Sequence, residues 1–142
     1  MEMEIFESEK GKSVRANKNF REQEILVEFV GTIKDTPDKH SLQIAKDKHL
    51  SGIDWPEYLN HSCNPNCYVH VDSVGVWLMT RKDVKLGEEL TFDYNTTEYD
   101  MANPFVCACC GREIKGYRFL TDEEKKEIDP WVLPHLRGSN AL

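Results

Sequence analysis

Apolar residues fall in short clusters along this chain, and few clusters keep one period for long. Residues 24–30, Glu-Ile-Leu-Val-Glu-Phe-Val, are rich in branched and aromatic side chains, the composition of a mostly buried strand. Gly31 and the polar stretch 34–39, broken by Pro37, end it. Ser41-Leu42-Gln43-Ile44 alternates briefly and predicts a second strand. Residues 68–71 and 74–79 read as the arms of a hairpin, with Asp72-Ser73 near its turn. Residues 84–88 read as a turn and 90–94 as a further strand. After Thr121 the pattern changes. Thr121 and Glu124 have the spacing of a capping box, so residues 122–128 are predicted as a short helix with charged outer faces, stopped by Pro130. The tail, 137–142, is expected to fray. Many short strands, irregular connections and one late helix describe a mainly β domain.

Composition narrows the class. Of 142 residues, 39% are hydrophobic and 30% charged, proportions of a globular domain rather than a disordered segment. A chain of this length can bury a core as one compact domain. No apolar run approaches the ~18 residues of a membrane span, so no membrane partner is expected. The acidic start, Met-Glu-Met-Glu-Ile-Phe-Glu, lacks the basic-then-apolar order of a secretory leader, and an intracellular protein is expected. With 18 Lys+Arg against 25 Asp+Glu the net charge is −7. That balance is poor for phosphate contacts, so no direct nucleic-acid binding is expected, whereas a basic partner suits it.

Three segments carry candidate chemistry. The first, Asn60-His61-Ser62-Cys63-Asn64-Pro65-Asn66-Cys67, is a polar knot with many hydrogen-bonding groups to satisfy. It reads as a loop packed on a ligand, an ordinary turn, a glycosylation sequon without a leader, or half of a zinc site. The second, Gly87-Glu88-Glu89-Leu90-Thr91-Phe92-Asp93-Tyr94-Asn95, reads on its own as a turn and a core strand. Glu88, Glu89, Asp93, Glu98 and Asp100 follow one another there with no Lys or Arg between them, and Tyr94 and Tyr99 lie among them. Such a stretch is either a docking face for a cationic peptide or a solvated acidic edge. The third, Phe105-Val106-Cys107-Ala108-Cys109-Cys110-Gly111, crowds three thiols together. Five cysteines, an odd number, argue against a disulfide framework in a reducing compartment. Three thiolates from this segment and a fourth from Cys63 could ligate a metal; small buried core residues are the alternative.

In this order, the segments resemble the SET domain of protein lysine methyltransferases, from about residue 10 to about residue 120. Gly11-Lys12-Ser13-Val14-Arg15-Ala16 resembles the opening cofactor loop. Residues 24–31 resemble the following Glu-Tyr-x-Gly strand. Residues 60–66 match Asn-His-Ser-Cys-x-Pro-Asn completely, and residues 87–94 match Gly-Glu-Glu-Leu-Thr-aromatic-Asp-Tyr completely. Residues 105–110 resemble the start of the cysteine-rich post-SET segment. The resemblance divides the chain into a SET domain (1–104), a post-SET-like cysteine segment (105–120), and a helix with tail (121–142). It is nearest to the small stand-alone SET proteins of microbes.

The resemblance implies a mainly β SET (β-clip) fold with a pseudoknot, in which the segment of Thr91 and Tyr94 threads past the loop of Asn60 and Asn66. It implies S-adenosylmethionine held by Lys12, Ser13, Val14, Asn60, His61 and Tyr94, with Tyr117 or Phe119 against the adenine. It makes Tyr94 the catalytic tyrosine, and Phe29, His40, Phe92 and Tyr94 the walls of a lysine channel. Zinc would be held by Cys63, Cys107, Cys109 and Cys110. Phe92, where tyrosine restricts similar enzymes to one methyl group, implies di- or trimethylation of a basic tail such as that of a histone. The location implied is nucleus or chromatin in a eukaryote and cytoplasm in a microbe. The chain departs from the family at Ser13 and Gln23, where glycines are usual, and at Phe29 and His40, where tyrosines are usual. In the post-SET segment, Cys110 directly follows Cys109, as if a four-residue gap were deleted. These departures keep two other readings open: a non-catalytic SET module binding a peptide or partner protein, and a cysteine-based zinc or redox protein.

Overall fold

The computed structural model describes residues 3–9, 11–38, 40–53 and 58–137. The expectation of a frayed tail, beyond Arg137, lies outside the described residues. The chain opens with a hairpin of β1 (Met3–Ser8) and β2 (Gly11–Ala16), which the hydropathy pattern did not signal. β3 (Ile25–Phe29) follows, then the short β4 (Thr32–Lys34), β5 (Leu42–Ala45), β6 (Lys48–Ser51) and β7 (Asn60–His61). β8 (Cys67–Val71) and β9 (Val76–Thr80) form the expected hairpin, with residues 72–75 at its turn. β10 (Thr91–Phe92), β11 (Phe105–Val106), β12 (Glu113–Ile114) and α1 (Asp122–Ile128) complete the chain. Small sheets rather than one large one result: β3-β9-β8, β4-β6-β5, and the pairs β1-β2, β10-β7 and β11-β12.

Each element has a local cause. α1 has the predicted bounds because its capping box forms: Thr121 Oγ1 accepts from Glu124 N–H, and Glu124 Oε1 from Thr121 N–H. The strand expected over residues 90–94 shrinks to the two residues of β10. Asp93 caps a 3-10 turn, its carboxylate accepting from Asn95 N–H, and Tyr94 leaves the extended conformation. β5 does not alternate as expected, because Leu42, Gln43 and Ile44 are all buried. Gln43 is inside because its groups clamp a later segment: its N–H donates to Glu98 Oε2, and its Oε1 accepts from Tyr99 N–H. Gln23, standing where the family has glycine, adopts a φ of 66° and is tied down by Tyr68 OH on its Oε1 and by Thr80 O on its N–H.

The main core gathers Val14, Leu26, Leu59, Val69, Leu78, Val84 and Leu90 from the sheets and the chain between them. A second, smaller core of Tyr117, Val132 and Leu136 carries the C-terminal part, with Leu120 and Ile128 at its edge. Arg81 lies 3.5 Å from the centre of the Trp131 ring and joins the two. Gly116 is pressed onto Tyr99, where a Cβ would meet the Tyr99 carbonyl oxygen at 2.5 Å. Its φ of 121° is likewise open to glycine alone at little cost.

Candidate active site

The polar knot and the second signature meet. β7 and β10 run parallel with Thr91 opposite Asn60 and Phe92 opposite His61, although 31 residues separate each pair in sequence. Side chains lock the crossing. Asn66 Nδ2 donates to Glu89 O at 2.9 Å and Asn66 Oδ1 accepts from Thr91 N–H at 3.0 Å, while Ser62 N–H donates to Phe92 O. Asn66 is thus buried as an amide that replaces a peptide group for its neighbours.

A cavity of about 960 Å³ opens at this crossing. Lys12, Phe29, His40, Asn60, His61, Phe92 and Tyr94 all line it, so most of the residues singled out in sequence converge. Ser13 does not line it but stands directly behind, fully buried, its Oγ accepting from Asn60 Nδ2 at 2.9 Å. Val14 is core, and its carbonyl is taken by Leu90 N–H. Tyr117 is displaced from its expected place. It is buried in the second core, away from the cavity, and Phe119 is 49% exposed. The aromatic that does reach the cavity from the cysteine-rich segment is Phe105, with its ring centre 5.8 Å from those of both His61 and Tyr94. The only signal for Phe105 in sequence is an aromatic two residues before Cys107. Phe92 completes the group, 4.9 Å from Tyr94.

Burial sets the electrostatics. Tyr94 N–H donates to His61 Nδ1 at 3.1 Å, so Nδ1 is an acceptor, and burial, aided by the Arg112 charge, lowers the His61 pKa to about 4. The imidazole is neutral near pH 7, and the Asp93 carboxylate 3.5 Å from Nδ1 is a neighbour rather than an ion-pair partner. Burial raises Asp93 to about 6. The Tyr94 hydroxyl donates to Leu59 O, and burial together with the charges of Glu98 and Glu89 pushes its pKa up. It is a phenol and not a phenolate.

The acidic stretch does not form the single docking face considered above. Asp93 is buried, Glu89 and Glu98 line the cavity, and only Glu88 and Asp100 are exposed. Glu88 caps its own turn by accepting from Lys85 N–H, and Asp100 pairs with Arg118. The 3-10 turn after Asp93 reverses the chain and sends successive acids in different directions.

The cysteines also converge. The sulfurs of Cys63, Cys107, Cys109 and Cys110 lie within 4.8 Å of one another, whereas Cys67 is buried elsewhere in the core. Adjacent Cys109 and Cys110 splay, as a shared ion requires: Cys109 Sγ lies 3.0 Å from Cys107 Sγ, and Cys110 Sγ 2.8 Å from Cys63 Sγ. A tetrahedral site with Zn–S bonds of ~2.3 Å needs sulfurs ~3.8 Å apart, and four converging thiols fit it. Hydrogen bonds from Cys63 and from the Arg112 backbone lower Cys110 to about 6, and burial raises Cys63. Arg112 Nη2 points at Cys63 Sγ and its Nη1 at Glu124, so the cluster is tethered to α1. This cluster could hold a zinc ion.

A family model described as "SET domain" matches residues 11–95. The chain belongs to the SET-domain family. Among relatives, it is 30% identical over 130 residues to the "Histone-lysine N-methyltransferase, H3 lysine-36 specific" of Coccidioides immitis, a match covering 76% of this chain and 13% of that protein. Among solved structures, it is similar to KRYPTONITE in complex with mCHG DNA and SAH, with a TM-score of 0.64 and 23% identity over 79% of this chain and 28% of the other. A second KRYPTONITE structure, with mCHH DNA, H3(1-15) peptide and SAH, gives 0.62 and 22% over 75% and 27%. The chain thus spans a small part of the relatives it matches. The SET fold accounts for the parallel β7–β10 crossing, which is the expected threading of one signature past the other.

Proposed function

We propose that this SET domain is an S-adenosylmethionine-dependent protein-lysine N-methyltransferase acting on a basic tail of the histone type and adding more than one methyl group. The observation that carries the reading is the β7–β10 crossing, which sets Asn60, His61, Phe92 and Tyr94 around one cavity. The names of the matched relatives, and the SAH and H3 peptide in the similar structures, support the cofactor and the substrate class. A histone substrate would put the activity in the nucleus or at chromatin if the source is a eukaryote, and a microbial source would put it in the cytoplasm.

The donor set suits the cofactor. The cavity is in the size range of small-molecule sites, and Lys12, Asn60 and Glu89 offer it a cation, an amide and a carboxylate. S-adenosylmethionine, when bound, supplies an electrophilic methyl group and a positive charge. The protein's part is alignment and exclusion of water. Water displaced from the cavity by cofactor and peptide would disfavour the ammonium form of the incoming lysine and so help expose its lone pair. The Tyr94 hydroxyl, fixed on Leu59 O, offers its oxygen to the partial charge that develops around the moving methyl. The rings of His61, Phe92, Tyr94 and Phe105 present π faces and edges that tolerate a cationic, methylated product. Phe92 brings no hydroxyl to this wall, which leaves room for a second and third methyl group. Cys63, Cys107, Cys109 and Cys110 would hold zinc in a structural role, closing the segment that carries Phe105 over the cavity.

Transfer of labelled methyl groups to mixed core histones tests the reading. Wild-type protein is expected to label a histone, Tyr94→Phe to lose about 100-fold or more, and Phe92→Tyr to shift the product towards monomethyl-lysine by mass spectrometry. Label independent of Tyr94, or no label from protein that binds SAH, would overturn it in favour of a non-catalytic peptide-binding module.

A further inference from the structure

Among the described residues, three carboxylates line the cavity: Asp38, Glu89 and Glu98. Two are engaged. Asp38 already has an ammonium partner, Lys34 Nζ at 3.2 Å, and also accepts from Ser51 Oγ and His40 N–H. Glu89 accepts from Asn60 Nδ2 at 2.7 Å, on the side of the cavity backed by Ser13.

Glu98 differs from both. Its Oε2 is pinned by Gln43 N–H at 2.8 Å and Thr97 Oγ1 at 2.7 Å, both neutral donors. No Lys, Arg or His pairs with it among the described residues, and Oε1 takes no hydrogen bond from them. Its backbone is equally fixed: Glu98 N–H donates to Tyr94 O, and Glu98 O accepts from Tyr117 N–H. The carboxylate is therefore rigid and close enough to Tyr94 for its charge to be felt at the phenol. Burial raises its pKa to about 7. Oε1 is the carboxylate atom left to meet a cation that enters the cavity. Phe29, Leu42 and Phe92, which also line the cavity, are apolar and leave the charge of a cationic ligand uncompensated.

We propose that Glu98 receives the ε-ammonium of the substrate lysine inside the cavity and so selects a cationic amine over a neutral side chain. The proposal rests on the lysine methyltransferase reading and assigns that reaction a further residue. Lysine in water is the ammonium, with a pKa of about 10.4, and must become an amine before it is methylated. The contact provides for both states. The ammonium N–H donates to Oε1, and the proton then passes from Nζ to Oε1, leaving an amine and a carboxylic acid. Glu98 afterwards returns its proton to water.

Glu98→Gln tests the proposal, because the amide oxygen still accepts from Gln43 and Thr97 while the charge is lost. The histone segment labelled by wild-type protein is synthesised twice, with lysine and with norleucine at the methylated position. Glu98→Gln is expected to weaken binding of the lysine peptide about tenfold or more, to raise its KM accordingly, and to leave norleucine-peptide and SAH binding unchanged. Equal weakening of both peptides would mean a structural role and overturn the proposal, as would no change in either. Glu98→Asp keeps the charge, is expected to retain the preference for lysine, and serves if Glu98→Gln does not fold. Absence of any Tyr94-dependent label would remove the lysine reading itself. Tyr94-dependent label with Glu98→Gln equal to wild type removes only the role of Glu98.

Discussion

The β7–β10 crossing and the cysteine segment border the same cavity but are held by different forces. At the crossing, strand pairing and the Asn66 amide satisfy the backbone from within, and Leu59 and Leu90 beside it are completely buried. Around β11 and β12 the pairing is just as short, yet the surroundings are poorer. Val106, Cys109 and Cys110 are exposed, α1 buries no residue, and the second core is small. What converges there is a set of thiols with Arg112 and Glu124 around them. The crossing needs no added group to be stable, whereas the cysteine segment has an arrangement whose main stabilising partner would be a metal ion. Tyr94 and Phe92 thus stand on the densely packed side of the cavity, and Phe105 on the side where a bound metal ion would add the most order.

Removing zinc should expose that difference most strongly. Structural zinc contributes on the order of 10 kcal/mol to small metal-dependent folds, so chelation is expected to free the amides of residues 105–116 to hydrogen exchange while those of residues 60–61 and 91–92 stay protected. Equal loss in both regions would break the comparison. Asn66→Ala attacks the other side. It removes the amide that donates to Glu89 O and accepts from Thr91 N–H, and a loss of about 2–4 kcal/mol in global stability is expected by urea denaturation.

Asp93 sharpens the contrast through pH. Its folded pKa, about 6, lies above its ordinary 3.8, so its contribution is fully present below about pH 4 and is lost as pH rises through about 6. Asp93→Asn carries no charge to bury. Its stability relative to wild type is therefore expected to improve by roughly 2–3 kcal/mol between acid and neutral pH, measured by denaturation at both. The smallest effect belongs to α1. Thr121→Ala removes one half of the capping box and should cost about 1 kcal/mol, confined to the exchange rates of residues 122–128 and silent at the crossing.

Much of this was legible in sequence where the cause is local. The bounds of α1 follow from Thr121 and Glu124, and the β8–β9 hairpin from its branched residues flanking Asp72. The two signatures named the crossing because their polar side chains serve each other, as Asn66 does for Thr91. Misreadings arose where a distant partner overrode the local pattern. Gln43 looks like the outward position of a strand but is drawn inside by Glu98 and Tyr99. Tyr117, expected near the adenine, packs with Val132 and Leu136 and does not line the cavity. The acidic stretch looks like one face until the turn at Asp93 divides it.

The sequence by itself determined which residues could do chemistry, since side-chain identity, capping and short-range turns are set by neighbours in the chain. Only the tertiary structure decided which of them act together. Cys63 meets Cys107 across 44 residues, Phe105 joins the rings of His61 and Tyr94, and Glu98 stands beside the cavity with no cation paired to it among the described residues. The physical reason is that burial and charge compensation depend on every segment packed around a group, and strands of two residues carry almost no local information about the partner they will find.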